Sequence, residues 1–310
     1  MKNNTLKNTN IKDIVKKAYN NHIVIPAFNI PYLPMVKPII ETLKKNETFG
    51  LIEVARPDVE KFEAKTFKDA IEEYHKYADT QYTRIHLDHI PVIDEDGIKV
   101  DWESLIKDAI EFGYDSVMID GSRLPFEENI EITKKVVELA SKKNIPVEAE
   151  LGAVLGHEKG PLPDYEQLFK SGKGFTDVAQ AQEFVRQTRV DWLSVAIGNI
   201  HGAISGTLKN KEKVKAKLNI EHLCKLQNVT KIPFVLHGGS GIQQLYVLEA
   251  INNGITKINI GTEIRQVYEK AIKQKPNNIA FAQNKVAEKV EQLICNYYYI
   301  KGSCFKLINL

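Results

Sequence analysis

A chain of 310 residues, 43% hydrophobic and 26% charged, has ample material for one large core and suits the length of an α/β barrel. A net charge of +2 with dispersed basic residues gives no case for nucleic acid. Cys224, Cys295 and Cys304 lack a CxxC spacing and exclude a disulfide framework, residues 1–10 carry no apolar signal region, and no apolar run reaches the ~18 residues of a membrane span, so a cytoplasmic protein is expected.

The spacing of apolar residues predicts a short helix over 11–19 and a first strand over 23–29, interrupted by Pro26. A helix over 33–45 and a second strand over 49–55 follow, with Arg56-Pro57 read as a loop. A helix over 66–77 leads to the third strand, 84–90, where Ile85 and Leu87 alternate with His86 and Asp88. The rhythm continues with helix 104–112, strand 116–120, helix 127–143, strand 147–151, helix 177–188 and strand 192–197. Helix 220–226, strand 234–237, helix 242–251 and strand 257–260 complete it, and helical segments 263–273 and 278–298 close the chain. Strands alternating with helices imply parallel βαβ units. Eight of them, without a linker or compositional break, predict a (β/α)8 TIM barrel as a single domain over 1–310 with extra C-terminal helices.

Chemistry in such a barrel belongs at the C-terminal ends of the strands. Those positions hold Asn29, Asp88, His89, Asp120, Glu148, Glu150, His201, His237 and Asn259, whereas His22, His75 and His222 fall on helices or helix-side loops. His89, His201 and His237 on three strand ends could give one divalent cation three ligands and an open position. The alternative is three structural histidines. Glu148 and Glu150 face the same way on one strand. They either line the barrel as a hydrogen-bonded pair or, through Glu150 with Asp120, hold a second cation. Gly238-Gly-Ser-Gly241 and Gly261-Thr262 each precede a predicted helix, and their exposed N–H groups suit an anion such as phosphate.

His86-Leu-Asp-His89, Ser116-Val-Met-Ile-Asp-Gly-Ser122 and Leu124-Pro-Phe-Glu-Glu-Asn129 together resemble the class II ketose-bisphosphate aldolases. So do Val147-Glu-Ala-Glu-Leu-Gly152, Gly198-Asn-Ile-His-Gly202, Leu236-His-Gly-Gly-Ser-Gly241 and Lys257-Ile-Asn-Ile-Gly-Thr262. The resemblance covers nearly the whole chain. It implies reversible cleavage of fructose or tagatose 1,6-bisphosphate to dihydroxyacetone phosphate and glyceraldehyde 3-phosphate. It further implies a Zn²⁺ on His89, His201 and His237 that polarises the carbonyl, with Asp120 and Glu150 near a second cation. Asp88 matches the acid that exchanges a proton with the hydroxyl at the reacting bond, and Glu158, on a loop over 156–160, matches the base at carbon. Asn29 and Asn259 match substrate-positioning residues, and Gly202, Gly238, Gly239, Ser240, Gly261 and Thr262 match the phosphate cradle. A phosphosugar substrate and a homodimer or homotetramer are implied as well.

Some positions depart from the family pattern. Ala55 and Arg56 stand where a serine is common, Leu155 replaces a glycine before the loop, and Ser205 stands where a phosphate-binding lysine is frequent. The lysines at 209, 211, 213, 215 and 217 read first as a solvated basic helix turn; alternatively they, or Arg56, could replace that charge. The departures leave open an aldolase acting on a different phosphosugar. A metal-dependent barrel hydrolase and a non-catalytic sugar-phosphate binder are the remaining readings.

Overall fold

A computed structural model describes residues 5–152, 165–199, 216–239 and 241–309. Its strands are β1 (Ile25–Asn29), β2 (Gly50–Ala55), β3 (Thr83–Pro91), β4 (Ser116–Asp120), β5 (Val147–Leu151), β6 (Trp192–Val195), β7 (Phe234–Leu236) and β8 (Ile255–Ile260). Each pairs in parallel with the next, and β8 returns to β1 with Ile25 opposite Lys257 and Ala27 opposite Asn259, so the sheet closes into the expected barrel. The helices between are α1 (Ile11–Asn20), α2 (Val36–Lys45), α3 (Arg56–Glu60), α4 (Phe67–Tyr77), α5 (Trp102–Phe112), α6 (Phe126–Ser141) and α7 (Tyr165–Ser171). They continue as α8 (Val178–Thr188), α9 (Ile220–Thr230), α10 (Gln244–Asn252), α11 (Thr262–Gln274), α12 (Ile279–Gln292) and α13 (Ser303–Asn309).

The period of two along each strand divides the protein into two cores. Outward residues such as Phe28, Ile52, Leu87, Val117, Leu193 and Phe234 pack against the apolar stripes of the helices. Inward residues near the strand starts, Ile25, Leu51, Trp192 and Val235, form a separate cluster with α1 and with Cys304 and Leu307 of α13. The C-terminal helix thus helps to close the bottom of the barrel. Its first turn is tied to the start of β2, where Phe49 N–H donates to Ser303 Oγ at 3.1 Å.

Beyond shifted ends, α7 and α13 are helices absent from the sequence reading, and three further elements differ from it. Arg56-Pro57 begins α3 instead of a loop: a proline in the first helical turn forfeits no helical hydrogen bond, and Asp58 accepts the Ala55 N–H at 2.9 Å. The helix expected over 278–298 ends at Gln292 and continues as one wide π turn, Leu293–Tyr297. Finally, α10 starts at Gln244, so Gly238-Gly-Ser-Gly241 does not run straight into its first turn.

Arg84 fastens the N-terminal segment beneath the barrel. Its buried guanidinium donates to the carbonyls of Leu6 (2.8 Å), Lys7 (3.3 Å) and Thr9 (2.9 Å), and also to those of Thr80 and Thr83. Losing a donor that serves several part-buried carbonyls costs about 1–3 kcal/mol. Arg84→Met is therefore expected to lower unfolding stability by about that amount and to expose residues 5–10 to proteolysis. Urea denaturation and limited digestion measure both, and a variant as stable and as resistant as the parent contradicts the clamp.

Candidate active site

The middle of the barrel is charged where apolar layers are usual. Inward positions on four strands place Glu53 (β2), His86 (β3), Glu148 (β5) and Lys257 (β8) together, all fully buried. Lys257 Nζ lies 2.9 Å from Glu148 Oε2 and 3.0 Å from Glu53 Oε1. Glu148 also receives the Trp192 Nε1–H at 2.8 Å and faces His86 Nε2 at 3.4 Å. Burial alone would raise both acids, and it does so for Glu53, which lies well above the ordinary carboxylate range despite Lys257. For Glu148 burial is outweighed by Lys257 and by the His237 and His86 hydrogen bonds, so it stays ionised. Two acids share one ammonium, and the acid with more hydrogen-bond donors around it holds the charge. His86 is pushed down, first by burial and then by Lys257, and its Nδ1 sits 2.8 Å from Ser116 Oγ.

Above this layer is the rim predicted to be functional. Asp88 is gripped at both oxygens: Asn259 Nδ2 donates to Oδ1 at 2.9 Å and Asn29 Nδ2 to Oδ2 at 3.0 Å. Burial would raise its pKa, but the neighbouring His89, Lys257 and His237 hold it well below the usual range. His237 Nε2 meets Glu148 Oε1 at 2.8 Å and Nδ1 meets Glu150 Oε2 at 3.2 Å. Burial pushes His237 down, yet these two carboxylates lift it to about 10. Glu150 is raised by burial and then by Asp120, against the pull of His237.

Asp88 and His89 are neighbours in sequence, and in a regular strand they would face opposite ways. They do not, because β3 bulges. Leu87 pairs with Val117 and Ile90 with Ile119, so three steps on β3 match two on β4, and His89 takes φ = 42°. The extra residue re-aims the side chain. Ligand atoms of Asp88, His89 and His237 consequently lie within 4.8 Å of one another, as do those of His89, Asp120 and Glu150. The rings of His89 and His237 are 4.3 Å apart. Mixed imidazole and carboxylate donors suit zinc or a similar divalent ion. Since ionised Glu148 can only accept, His237 Nε2 carries a proton, and Nδ1, on the Glu150 side, is the nitrogen that gives up its proton when an ion binds. The residues fit such an ion.

The other predicted residues divide. Gly261 lies against Asn29, where a Cβ would come within 3.2 Å of Oδ1, and Thr262 opens α11. Gly238 has φ = 65° and Gly239 packs on Ile258. Glu158, His201, Gly202 and Ser240 lie outside the described residues, as do Leu155, Ser205 and the lysines at 209–215. Arg56 is engaged by Glu60 (2.6 Å) and Asp94 (3.2 Å), and Lys217 by Glu166 (2.7 Å). The sequence reading assigned nothing to Lys257, Glu53, Asp58 or Asn199. The last is buried, and its amide donates to the His237 carbonyl at 2.9 Å. The period of two offered a signal for Lys257, two residues before Asn259.

A family model for fructose-bisphosphate aldolase class-II matches residues 9–304. The chain belongs to the class II fructose-bisphosphate aldolase family. It is an aldolase, and therefore a lyase. Its structure is similar to that of the YdjI aldolase from Escherichia coli K12, with 28% identity and a TM-score of 0.73 over 95% of this chain and 98% of that one. The fructose-bisphosphate aldolase of Campylobacter jejuni shares the fold at 16% identity, with a TM-score of 0.72 over 94% and 95% of the two chains. The family is generally metal-dependent, and the cluster at the barrel mouth supplies a donor set that suits an ion.

Asp58 adds a pH dependence. It is buried beside Asn29 Nδ2, at 3.5 Å, and its pKa is raised to about 7, chiefly by burial and secondarily by Asp88, against the Ala55 N–H. A carboxyl raised in the fold from an ordinary unfolded value of 3.8 favours the native state at low pH, and that advantage is lost as pH rises towards 7. Asp58→Asn should therefore gain stability relative to the parent across that window. Denaturation at several pH values from about 4 to 8 measures the gap, and a pH-independent gap would show that Asp58 titrates normally.

Proposed function

We propose that the chain catalyses zinc-dependent, reversible aldol cleavage of a ketose phosphate to dihydroxyacetone phosphate and an aldehyde. Fructose or tagatose 1,6-bisphosphate, which gives glyceraldehyde 3-phosphate, is the proposed substrate. The observation that carries the reading is an ionised Asp88, held at both oxygens by Asn29 and Asn259, beside the His89 and His237 imidazoles. His201 would complete the zinc ligands, and Asp120 with Glu150 would serve a second cation. A divalent ion bound there supplies Lewis-acid polarisation of the substrate carbonyl.

In cleavage, Asp88 accepts the proton of the hydroxyl on the far side of the scissile carbon–carbon bond. That bond breaks, the aldehyde departs, and the electron pair remains on the donor half. Glu158 would return a proton to carbon, giving dihydroxyacetone phosphate. The two amides fix Asp88 so that its lone pairs, and not its rotamer, decide where the hydroxyl sits. Gly202, Gly238, Gly239, Ser240, Gly261 and Thr262 would hold the donor phosphate through backbone N–H groups and hydroxyls, aided by the N-terminus of α11. A cytoplasmic homodimer or homotetramer belongs to the same reading. A hydrolase is less well supported, because it gives no role to Glu158 or to the two glycine-rich turns that suit a phosphate.

Asp88→Ala separates the two proton transfers. The variant is expected to keep its zinc and to exchange the donor C–H of dihydroxyacetone phosphate with solvent, while ketose cleavage falls by about 10²–10⁴-fold. Chelation should abolish both activities in the parent. Cleavage that survives full removal of metal contradicts the mechanism, and failure of the zinc-loaded parent on both bisphosphates contradicts the substrate.

A further inference from the structure

We propose that Lys257 is a positioning residue, setting the acid Asp88 and the histidine His237 from a single ammonium; this rests on the function proposed above. Lys257 is buried at 1% exposure and reaches Asn259 Oδ1 (2.9 Å), Glu148 Oε2 (2.9 Å) and Glu53 Oε1 (3.0 Å). An ammonium has three donors and no acceptor, so the hydrogen bonds to Asn259 and Glu148 are directional, and Glu53 Oε1 is a close ion-pair contact.

On one side, Lys257 decides the polarity of Asn259. With Oδ1 on the ammonium, the amide must turn its NH₂ outwards, where it meets Asp88 Oδ1 at 2.9 Å. A flipped amide would set NH₂ against the ammonium and a carbonyl oxygen against the carboxylate, both repulsive. On the other side, Lys257 and the Trp192 N–H occupy Glu148 Oε2, which leaves Oε1 for His237 Nε2. Carboxylates that hold the far nitrogen of a metal-binding histidine fix its tautomer and ring orientation. Asn259 and Glu148 sit on β8 and β5, three strands apart around the closed barrel, so the ammonium is a strut across the interior.

A purely structural role would not require charge here. Buried ion pairs are commonly replaced by apolar groups of similar volume without loss of stability. Glu53 makes the same point: among the described residues neither of its oxygens accepts a well-formed hydrogen bond, and its one close cation is Lys257.

The test compares the zinc-loaded parent with Lys257→Met and with the double variant Lys257→Met/Glu53→Leu, which removes the second acid together with its counter-ion. The double variant carries the test should the single one fail to fold. Zinc affinity is read by competition with a chromophoric chelator. At saturating zinc, kcat and KM for ketose bisphosphate cleavage are measured beside deuterium exchange into dihydroxyacetone phosphate. Zinc affinity should weaken by about 10–100-fold. At saturating zinc, kcat should fall by a comparable ~10–100-fold factor with KM little changed, while exchange, which bypasses Asp88, persists. A folded variant with parental zinc affinity and parental kcat overturns the positioning role. A parent that neither retains zinc nor exchanges the donor proton overturns the reading on which it rests.

Discussion

The interaction on which the rest of this structure depends is the buried ion pair between Lys257 and Glu148. Taking two charges out of water costs several kcal/mol per ion, and their attraction offsets this only when the remaining donors and acceptors are satisfied. Here they are. Glu148 collects an indole N–H and an imidazole N–H besides the ammonium, and Lys257 adds a carboxamide oxygen. Each of those groups then holds something nearer the barrel mouth, His237 through Glu148 and Asp88 through Asn259. The apolar layer below, with Trp192 at its top, excludes water and strengthens every electrostatic term above it. Fold and site are therefore continuous: the layer that fills the barrel is also the one that aims the rim.

The second constraint is the bulge in β3. Two adjacent residues of a strand cannot ordinarily serve one site, and His89 joins Asp88 only because the register slips by one residue against β4. The positive φ of a non-glycine residue at that point is backbone strain of the kind found at functional sites. Its neighbour Met118 steadies it, with Sδ 3.4 Å from the His89 N–H. The result is an acid and an imidazole facing the same volume, supplied by consecutive residues of one strand.

Much of this was legible in the sequence. Apolar strands alternating with amphipathic helices gave the barrel, since a parallel sheet buried on both faces leaves few other patterns. Asp88, His89, Asp120, Glu150, His237 and Asn259 stood out because polar residues at buried strand ends need a reason. The bulge was not legible, because register depends on pairing with β4 and not on β3 alone. Nor was the role of Lys257: a lysine inside an apolar run reads as a strand boundary until its partners on β2 and β5 are known. Pro57 misled because the rule for the residue before proline ignores that the first helical turn has no hydrogen bonds to lose. The end of α12 was missed because a π turn keeps the apolar spacing of the helix it follows. Asp58 passed unnoticed as an ordinary polar residue after a strand, and only packing against Asn29 buries it.

The central claim is that one cation at the mouth of the barrel is held by His89 and His237 beside Asp88. Anomalous X-ray scattering from crystals of the zinc-loaded protein, collected on either side of the zinc absorption edge, tests it most directly. The account predicts a single strong peak at about 2.0–2.1 Å from a nitrogen of each of these two histidines. A fully loaded protein whose peak lies away from both rings would contradict it.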